Sequence, residues 1–144
     1  MGCWNFEVKM TEEIIIDATN ATLGRLASYA AKQALQGKKI IILNSGKAIV
    51  TGRKKFIIEN YQKKRKRGGS SQRGPFFPRG TEKILKRTIR GMLPDYRAGR
   101  GREAFKRVLC FKGVPDEYKD KKMIKAGKEK RTNYISIEQI SKHI

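Results

Sequence analysis

Lys63-Lys64-Arg65-Lys66-Arg67 sets five cations in a row, with no acid from there until Glu82. Free in water such a run repels itself. Against a polyanion each side chain displaces condensed counterions, and arginine adds a planar fork that matches phosphate oxygens. Lys83, Lys86, Arg87 and Arg90 recur at steps of three and four, so on a helix they share one face. Arg97, Arg100 and Arg102 are interspersed with Gly99 and Gly101, a pattern that lets backbone approach a phosphate closely. Arg73 and Arg79 flank Phe76 and Phe77 in a loop bounded by Pro75 and Pro78. Either phenylalanine could stack on an unpaired base, or both could pin the loop to the domain. Arg53 and Lys54 complete the candidate set. The bland reading of each run is a solvated helix end, a face that keeps a helix soluble or, for residues 97–102, a flexible and irregular basic linker. Soluble faces usually mix signs, and these do not.

The distribution of charge favours the phosphate reading. The 144 residues carry 34 Lys and Arg against 13 Asp and Glu, a formal net charge of +21. Residues 1–52 hold 6 basic and 4 acidic side chains, residues 53–112 hold 20 and 4, and residues 113–144 hold 8 and 5. A small domain stays soluble with a net charge of only ~2–8. A larger excess costs self-repulsion unless a polyanion neutralises it, which puts nucleic acid ahead of a small-molecule substrate. A membrane surface is the other common polyanion; a membrane-spanning helix is not expected, because the longest aliphatic run, Ile40 to Leu43, is far short of the ~20 residues one needs.

Other chemistries are weakly supported. Gly46-Lys47-Ala48 lacks the upstream glycine and the Ser or Thr of a phosphate-binding loop, and Gly99-Arg100-Gly101 has no third glycine at dinucleotide spacing. Asp17, Glu59, Glu82, Asp95 and Glu103 form no acid/base pair legible from spacing. Cys3, Cys110 and His143 make neither a disulfide framework nor a zinc ligand set. The opening residues match neither a secretory signal nor a myristoylation motif. The expectation is a cytoplasmic protein, not an enzyme, with no metal and no cofactor.

These cations need a scaffold, and the near-neutral N-terminal third supplies one. Ile14-Ile15-Ile16 is a short β-branched run suited to a strand buried on both faces. Asp17, Thr19, Asn20 and Thr22 offer N-cap oxygens; Leu23, Leu26, Ala27, Ala30 and Ala34 follow at helical spacing; Gly37 can end the helix. Ile40 to Leu43 is a second buried strand, so the unit reads as βαβ with parallel strands. Ala48 to Val50 is a further strand piece. Residues 53–67 read as a helix with Phe56, Ile57 and Tyr61 inward. Thr81 to Leu93 reads as a helix with Ile84, Leu85, Ile89 and Met92 inward. Val108 to Phe111 reads as a strand, and a weak element lies near residues 134–140. From Lys63 to Pro75 no residue is apolar, so residues 63–80 are expected to order only on binding.

Five blocks in register carry a resemblance: Ile16-Asp17-Ala18; Leu23 to Ser28; Val50-Thr51-Gly52-Arg53; Thr88-Ile89-Arg90-Gly91-Met92-Leu93-Pro94; and Gly101-Arg102-Glu103-Ala104-Phe105. Together they resemble the large-subunit ribosomal protein thirteen family, in its archaeal and eukaryotic branch. Residues 1–9 fall outside the resemblance, which makes Met10 an alternative first residue. The resemblance implies a three-layer α/β/α fold with a small, largely parallel four-stranded sheet and basic extensions. It implies a structural constituent of the large ribosomal subunit that binds and organises ribosomal RNA and supports assembly and translation. Neighbouring ribosomal proteins, ribosomal protein three among them, are the implied protein partners. Residues 1–13 are expected to be a disordered extension, 14–115 the RNA-binding domain and 116–144 a polar extension. Two other functions remain open at this point. They are a free RNA-binding regulator of translation and an RNA-modifying enzyme.

Overall fold

The structure, a computed structural model, describes residues 12–67 and 75–144. Strand β1 (Glu13–Asp17) leads through helix α1 (Leu23–Leu35) to strand β2 (Lys39–Leu43). β1 and β2 pair in parallel, Ile14 opposite Ile40 and Ile16 opposite Ile42. Strand β3 (Ile49–Thr51) and helices α2 (Lys54–Lys66), α3 (Thr81–Met92) and α4 (Gly99–Lys106) follow. Strand β4 (Val108–Cys110) then joins β2 in parallel, and β5 (Ile124–Lys125) joins β1, giving a four-stranded parallel sheet of order β4-β2-β1-β5. β6 (Tyr134–Ser136) pairs antiparallel with β3, and helix α5 (Ile137–His143) closes the chain.

Alternation along the central strands splits the core. Ile16, Ile40 and Ile42 face one way, into the cluster built with α1, α3, Ala104 of α4 and Ile137 of α5. Ile15, Ile41 and Leu43 face the other way and are covered by Phe111, Val114, Tyr118 and Met123. That second cover is a loop with one 3₁₀ turn, Asp116–Tyr118. Fully burying an isoleucine contributes ~1.5–3 kcal/mol, so these unbroken runs anchor the fold. Gly37 ends α1 with φ +94°, a conformation open to glycine because it lacks a Cβ.

Three local expectations are corrected. Phe56 is 68% exposed; Ile57, Ile58 and Tyr61 take the inward side of α2, and Phe56 points away from them. Met92 also stands exposed at the end of α3, where Leu93 packs inward instead. The run from Gly99 is helical rather than irregular. Gly101 is required by the protein's own packing, since a Cβ there would collide with the Pro94 and Asp95 carbonyls.

The cap oxygens near α1 are used differently from the sequence reading. Thr22 occupies the N-cap position without a side-chain bond. Asp17 Oδ1 instead accepts from the Thr19 amide (3.1 Å), Thr19 Oγ1 (2.7 Å) and Asn44 Nδ2 (3.0 Å), tying the ends of β1 and β2 together. Of the expected N-terminal extension, residues 1–11 lie outside the described residues and Glu13 opens β1. The expected binding-ordered segment is helical through Lys66, and residues 68–74 lie outside the described residues. Late in the chain, Ile135 and Ile140 join Ile57 in a third cluster, and Gln62 Nε2 donates to the His143 carbonyl (2.9 Å). The C-terminal residues thereby hold α2 in place.

Leu26→Ala should cost ~2–5 kcal/mol in urea unfolding, as expected for a buried leucine, whereas Lys83→Ala should stay within ~0.5 kcal/mol. Gly101→Ala should also destabilise, because the obstruction is backbone. Equal midpoints for all three variants would contradict this packing. Burial raises the Asp17 carboxyl, but the Asn44 and Thr19 hydrogen bonds outweigh it and leave its pKa below the ordinary value. Its contribution is therefore present above the unfolded-state pKa and is lost as pH falls through the lower folded value. Asp17→Asn should flatten that part of the acid limb of a stability–pH curve; an unchanged limb would assign it to other carboxylates.

Candidate nucleic-acid interface

Rotation of α3 determines what it shows to solvent. Ile84, Leu85 and Ile89 are buried against α1 and the sheet, which turns Lys83, Lys86, Arg87 and Arg90 outward. From α3, Arg87 reaches Phe77, which meets Tyr61 of α2, and Lys86 reaches Phe105 of α4. α2 bears Lys54, Lys63, Lys64, Arg65 and Lys66, with Arg53 and Arg67 at its ends; α4 bears Arg100 and Arg102. Arg79 precedes α3, and Arg97 lies in the turn before α4. Arg73 lies outside the described residues. Arg65 is half-buried, since it extends the inward line of Ile58 and Tyr61 by one turn.

Two aromatic pairs hold several of these cations. Tyr61 and Phe77 meet edge to face with centroids 5.4 Å apart; Lys64 of α2 lies 5.1 Å from the Tyr61 centroid and Arg87 of α3 5.0 Å from that of Phe77. Arg87 Nη1 also donates to the Phe76 carbonyl (2.9 Å). On the other side Tyr96 and Phe105 meet at 6.3 Å. Lys86 lies 5.0 Å from the Phe105 centroid, while Arg90 and Arg97 lie 4.7 and 5.5 Å from that of Tyr96. An exposed cation–π contact contributes ~0.5–1 kcal/mol, a fraction of the ~2 kcal/mol of rotamer freedom in an Arg or Lys side chain. Each ring therefore narrows where its cation points without immobilising it.

Phe76 and Phe77 divide the roles that sequence left open. Phe77 packs against Tyr61 and pins the loop, whereas Phe76 is 82% exposed beside the cations. Tyr96 was not singled out from sequence, and Phe105 entered only as part of a motif. The i,i+3 spacing of Tyr61 and Lys64 could have revealed the first perch. Contacts such as Lys86 with Phe105 cross between elements and leave no local signal.

Acids on these elements are few: Glu59 in α2, Glu82 in α3, Glu103 in α4, and Asp95, whose Oδ1 accepts from the Arg97 backbone amide (3.1 Å). Among the described residues the ion pairs are Lys38–Glu12 (3.3 Å), Lys39–Glu13 (2.7 Å), Lys121–Glu13 (3.6 Å), Arg107–Glu103 (3.5 Å), Lys142–Glu138 (3.5 Å) and Lys119–Asp116. None includes a cation of the candidate set. Among the described residues the basic face thus keeps its side-chain cations out of ion pairs, the state in which a polyanion gains most by docking. Burial pushes the Cys110 thiol up to about 12, so it stays protonated and is a poor nucleophile. Among the described residues no group of His, Cys, Asp and Glu could hold a metal ion, and no helix is long and apolar enough to cross a membrane.

A small parallel α/β scaffold whose cationic face enters no ion pair among the described residues defines a protein that presents charge. Residues 11–117 match the model of the family described as Ribosomal protein L13. The chain is 40% identical over 136 residues to the large ribosomal subunit protein uL13 of Archaeoglobus fulgidus, covering 90% of this chain and 86% of that one. It is 45% identical over 133 residues to the protein of the same name from Methanocaldococcus jannaschii, covering 90% and 96%. With that of Methanopyrus kandleri the identity is 49% over 104 residues, 72% of this chain and 64% of the relative. The chain belongs to the ribosomal protein L13 family, and these relatives are named as ribosomal proteins rather than enzymes.

The perch at Tyr96 has a titration signature. The Arg97 Nε–H donates to Tyr96 Oη (3.2 Å), and that bond together with the guanidinium charge lowers the phenol pKa. Burial raises that of Tyr61. In an alkaline absorbance titration Tyr96 should ionise below the ordinary tyrosine range and Tyr61 above it. Tyr96→Phe should remove the low component; its persistence would assign that component to another tyrosine.

Proposed function

We propose that this chain is an integral protein of the large ribosomal subunit and binds ribosomal RNA through the α2–α3–α4 face, helping to organise that RNA during assembly. The observation carrying this reading is a separation of charge. Five cations of the candidate set, Lys64, Lys86, Arg87, Arg90 and Arg97, rest on aromatic rings and enter none of the described ion pairs, whereas Lys121, outside the set, meets both the Tyr118 ring and Glu13. Side chains already ordered by a ring lose less freedom when they meet a phosphate. Arg53, Lys54, Lys63, Arg65, Lys66, Arg67, Arg79, Lys83, Arg100 and Arg102 extend the same surface, and Arg73 is included from sequence. The mechanism is electrostatic and architectural: cations on three neighbouring helices bridge RNA segments that would otherwise repel. Ribosomal protein three is the protein neighbour implied by the family resemblance. The cytoplasm, where large subunits operate, is the corresponding location.

Filter binding to a large-subunit RNA fragment over a salt series tests this. About six to ten phosphate contacts should weaken binding ~10³–10⁵-fold between ~50 and ~200 mM salt. Replacing Lys83, Lys86, Arg87 and Arg90 together by Gln should reduce the log–log slope by about 3, at ~0.7–0.9 per contact, while α3 persists because Gln is a good helix former. Gln in place of residues 63–67 should remove a further part. A slope unmoved by both replacements would place the binding surface elsewhere.

A further inference from the structure

Away from the α2–α3–α4 face, the first turns of α1 and the chain that follows β5 enclose a groove of about 420 Å³. Arg25 and Tyr29 of α1 form one wall, and Ile124, Lys128 and Lys130 form the other. A smaller hollow of about 280 Å³ continues it, sharing Asn20 and Lys130 and ending at Tyr134. The groove is built rather than incidental. The Ala126 amide donates to the Asp17 carbonyl (3.2 Å), and Gly127 lies so close to the Thr19–Ala21 backbone that any Cβ would collide with it.

Its composition is unusual for this molecule. Six large hydrophobic side chains are exposed among the described residues, and three of them line this one track: Tyr29 (42%), Ile124 (51%) and Tyr134 (40%). Clustered exposed apolar groups mark a binding surface far more often than scattered ones do. The rim carries Arg25, Lys128 and Lys130 against the single acid Glu129, and none of these four enters an ion pair among the described residues. Flat aromatic surface beside unpaired cations is the chemistry of single-strand recognition, in which bases stack and phosphates meet charge. A pocket of this volume lies within the ~300–1,000 Å³ range of small-ligand sites and accepts a nucleotide.

We propose that this groove is a second nucleic-acid site, taking one or two unpaired nucleotides of the large-subunit RNA. Bases lie against Tyr29, Ile124 and Tyr134, and phosphates meet Arg25, Lys128 and Lys130. The inference rests on the RNA-binding reading above and adds a surface that shares no residue with the first face. The cationic rim favours RNA over an apolar segment of a neighbouring protein, which would gain little from three unpaired positive charges.

The test combines ultraviolet crosslinking of the full chain in assembled large subunits with filter binding of variants to a large-subunit RNA fragment. Crosslinks from Tyr29 or Tyr134 to nucleotides are expected. The triple change Arg25→Gln, Lys128→Gln, Lys130→Gln should reduce the salt slope by about 2, from ~0.7 per contact. Tyr29→Ala should weaken binding roughly 5- to 100-fold, the range for losing one stacked base, while Tyr29→Phe keeps it. Thermal melting of each variant checks that the exposed substitutions leave the fold intact. Wild-type affinity in the triple and Tyr29→Ala variants, with the α3 replacement still reducing the slope, would overturn the groove and leave the first face standing. Crosslinks from Tyr29 or Tyr134 to a neighbouring protein would assign the groove to protein docking and overturn it as well. If neither the groove nor the α3 replacements alter binding, the RNA reading itself fails.

Discussion

Burial of Ile84, Leu85 and Ile89 fixes the rotation of α3, and the basic face takes its arrangement from that rotation. An amphipathic helix has no freedom to choose which side it shows: once its apolar stripe packs, the opposite stripe is exposed. The stripe lies over the same sheet face as α1, whose alanines at 27, 30, 31 and 34 are buried. Small residues there let α3 approach closely, so two helices share one side of a sheet only four strands wide. The other side has room for little more than a loop and a 3₁₀ turn.

Charge is handled differently in the two halves of the molecule. Around β1 and β2 cations are matched: Lys38, Lys39 and Lys121 all lie against Glu12 or Glu13. Exposed pairs of this kind contribute only ~0–1 kcal/mol each, so their value is in cancelling local field rather than in holding the sheet. Across α2, α3 and α4 there is little to cancel with, and the central block keeps 20 basic residues against 4 acidic ones. Glu103 is spent on Arg107, whose Nη1 also donates to the Ala34 carbonyl (3.3 Å). Arg107 is thus a structural cation joining α4 to α1, distinct from the arginines that face outward.

Aromatic rings do on this face what acids would do on an ordinary surface. A carboxylate would fix a cation but cancel its charge; a ring orients it and leaves the charge available. Tyr61 and Phe77 span α2 and the loop before α3, and Tyr96 with Phe105 spans the approach to α4 and α4 itself. The pairs therefore also tie the segments that flank α3 to α2 and α4. The C-terminal β6 and α5 complete this arrangement, because Ile135 and Ile140 seat the inner side of α2. The sequence shows only a weak element there, since Ile135, Ile137, Ile140 and Ile144 make too short a pattern to say what they pack against.

What the sequence determined by itself follows from local periodicity. Runs of isoleucine specify strands buried on both faces, the three-and-four spacing of Lys83, Lys86, Arg87 and Arg90 specifies one helix face, and Gly37 marks a helix end. The parallel βαβ unit follows from those elements alone, and the family resemblance follows from five short blocks in order. Tertiary structure decided everything that depends on which stripe finds a partner. On α2 both Phe56 and Ile57 are apolar, and the positions of β3, β6 and α5 select Ile57 for burial. Gly101 reads as a flexible link until Pro94 and Asp95 are seen pressed against it. The perches of Lys86 and Arg90, and the groove between α1 and the chain after β5, join residues far apart in sequence. No local pattern encodes such a meeting, because it is fixed by how whole elements pack rather than by the spacing within any one of them.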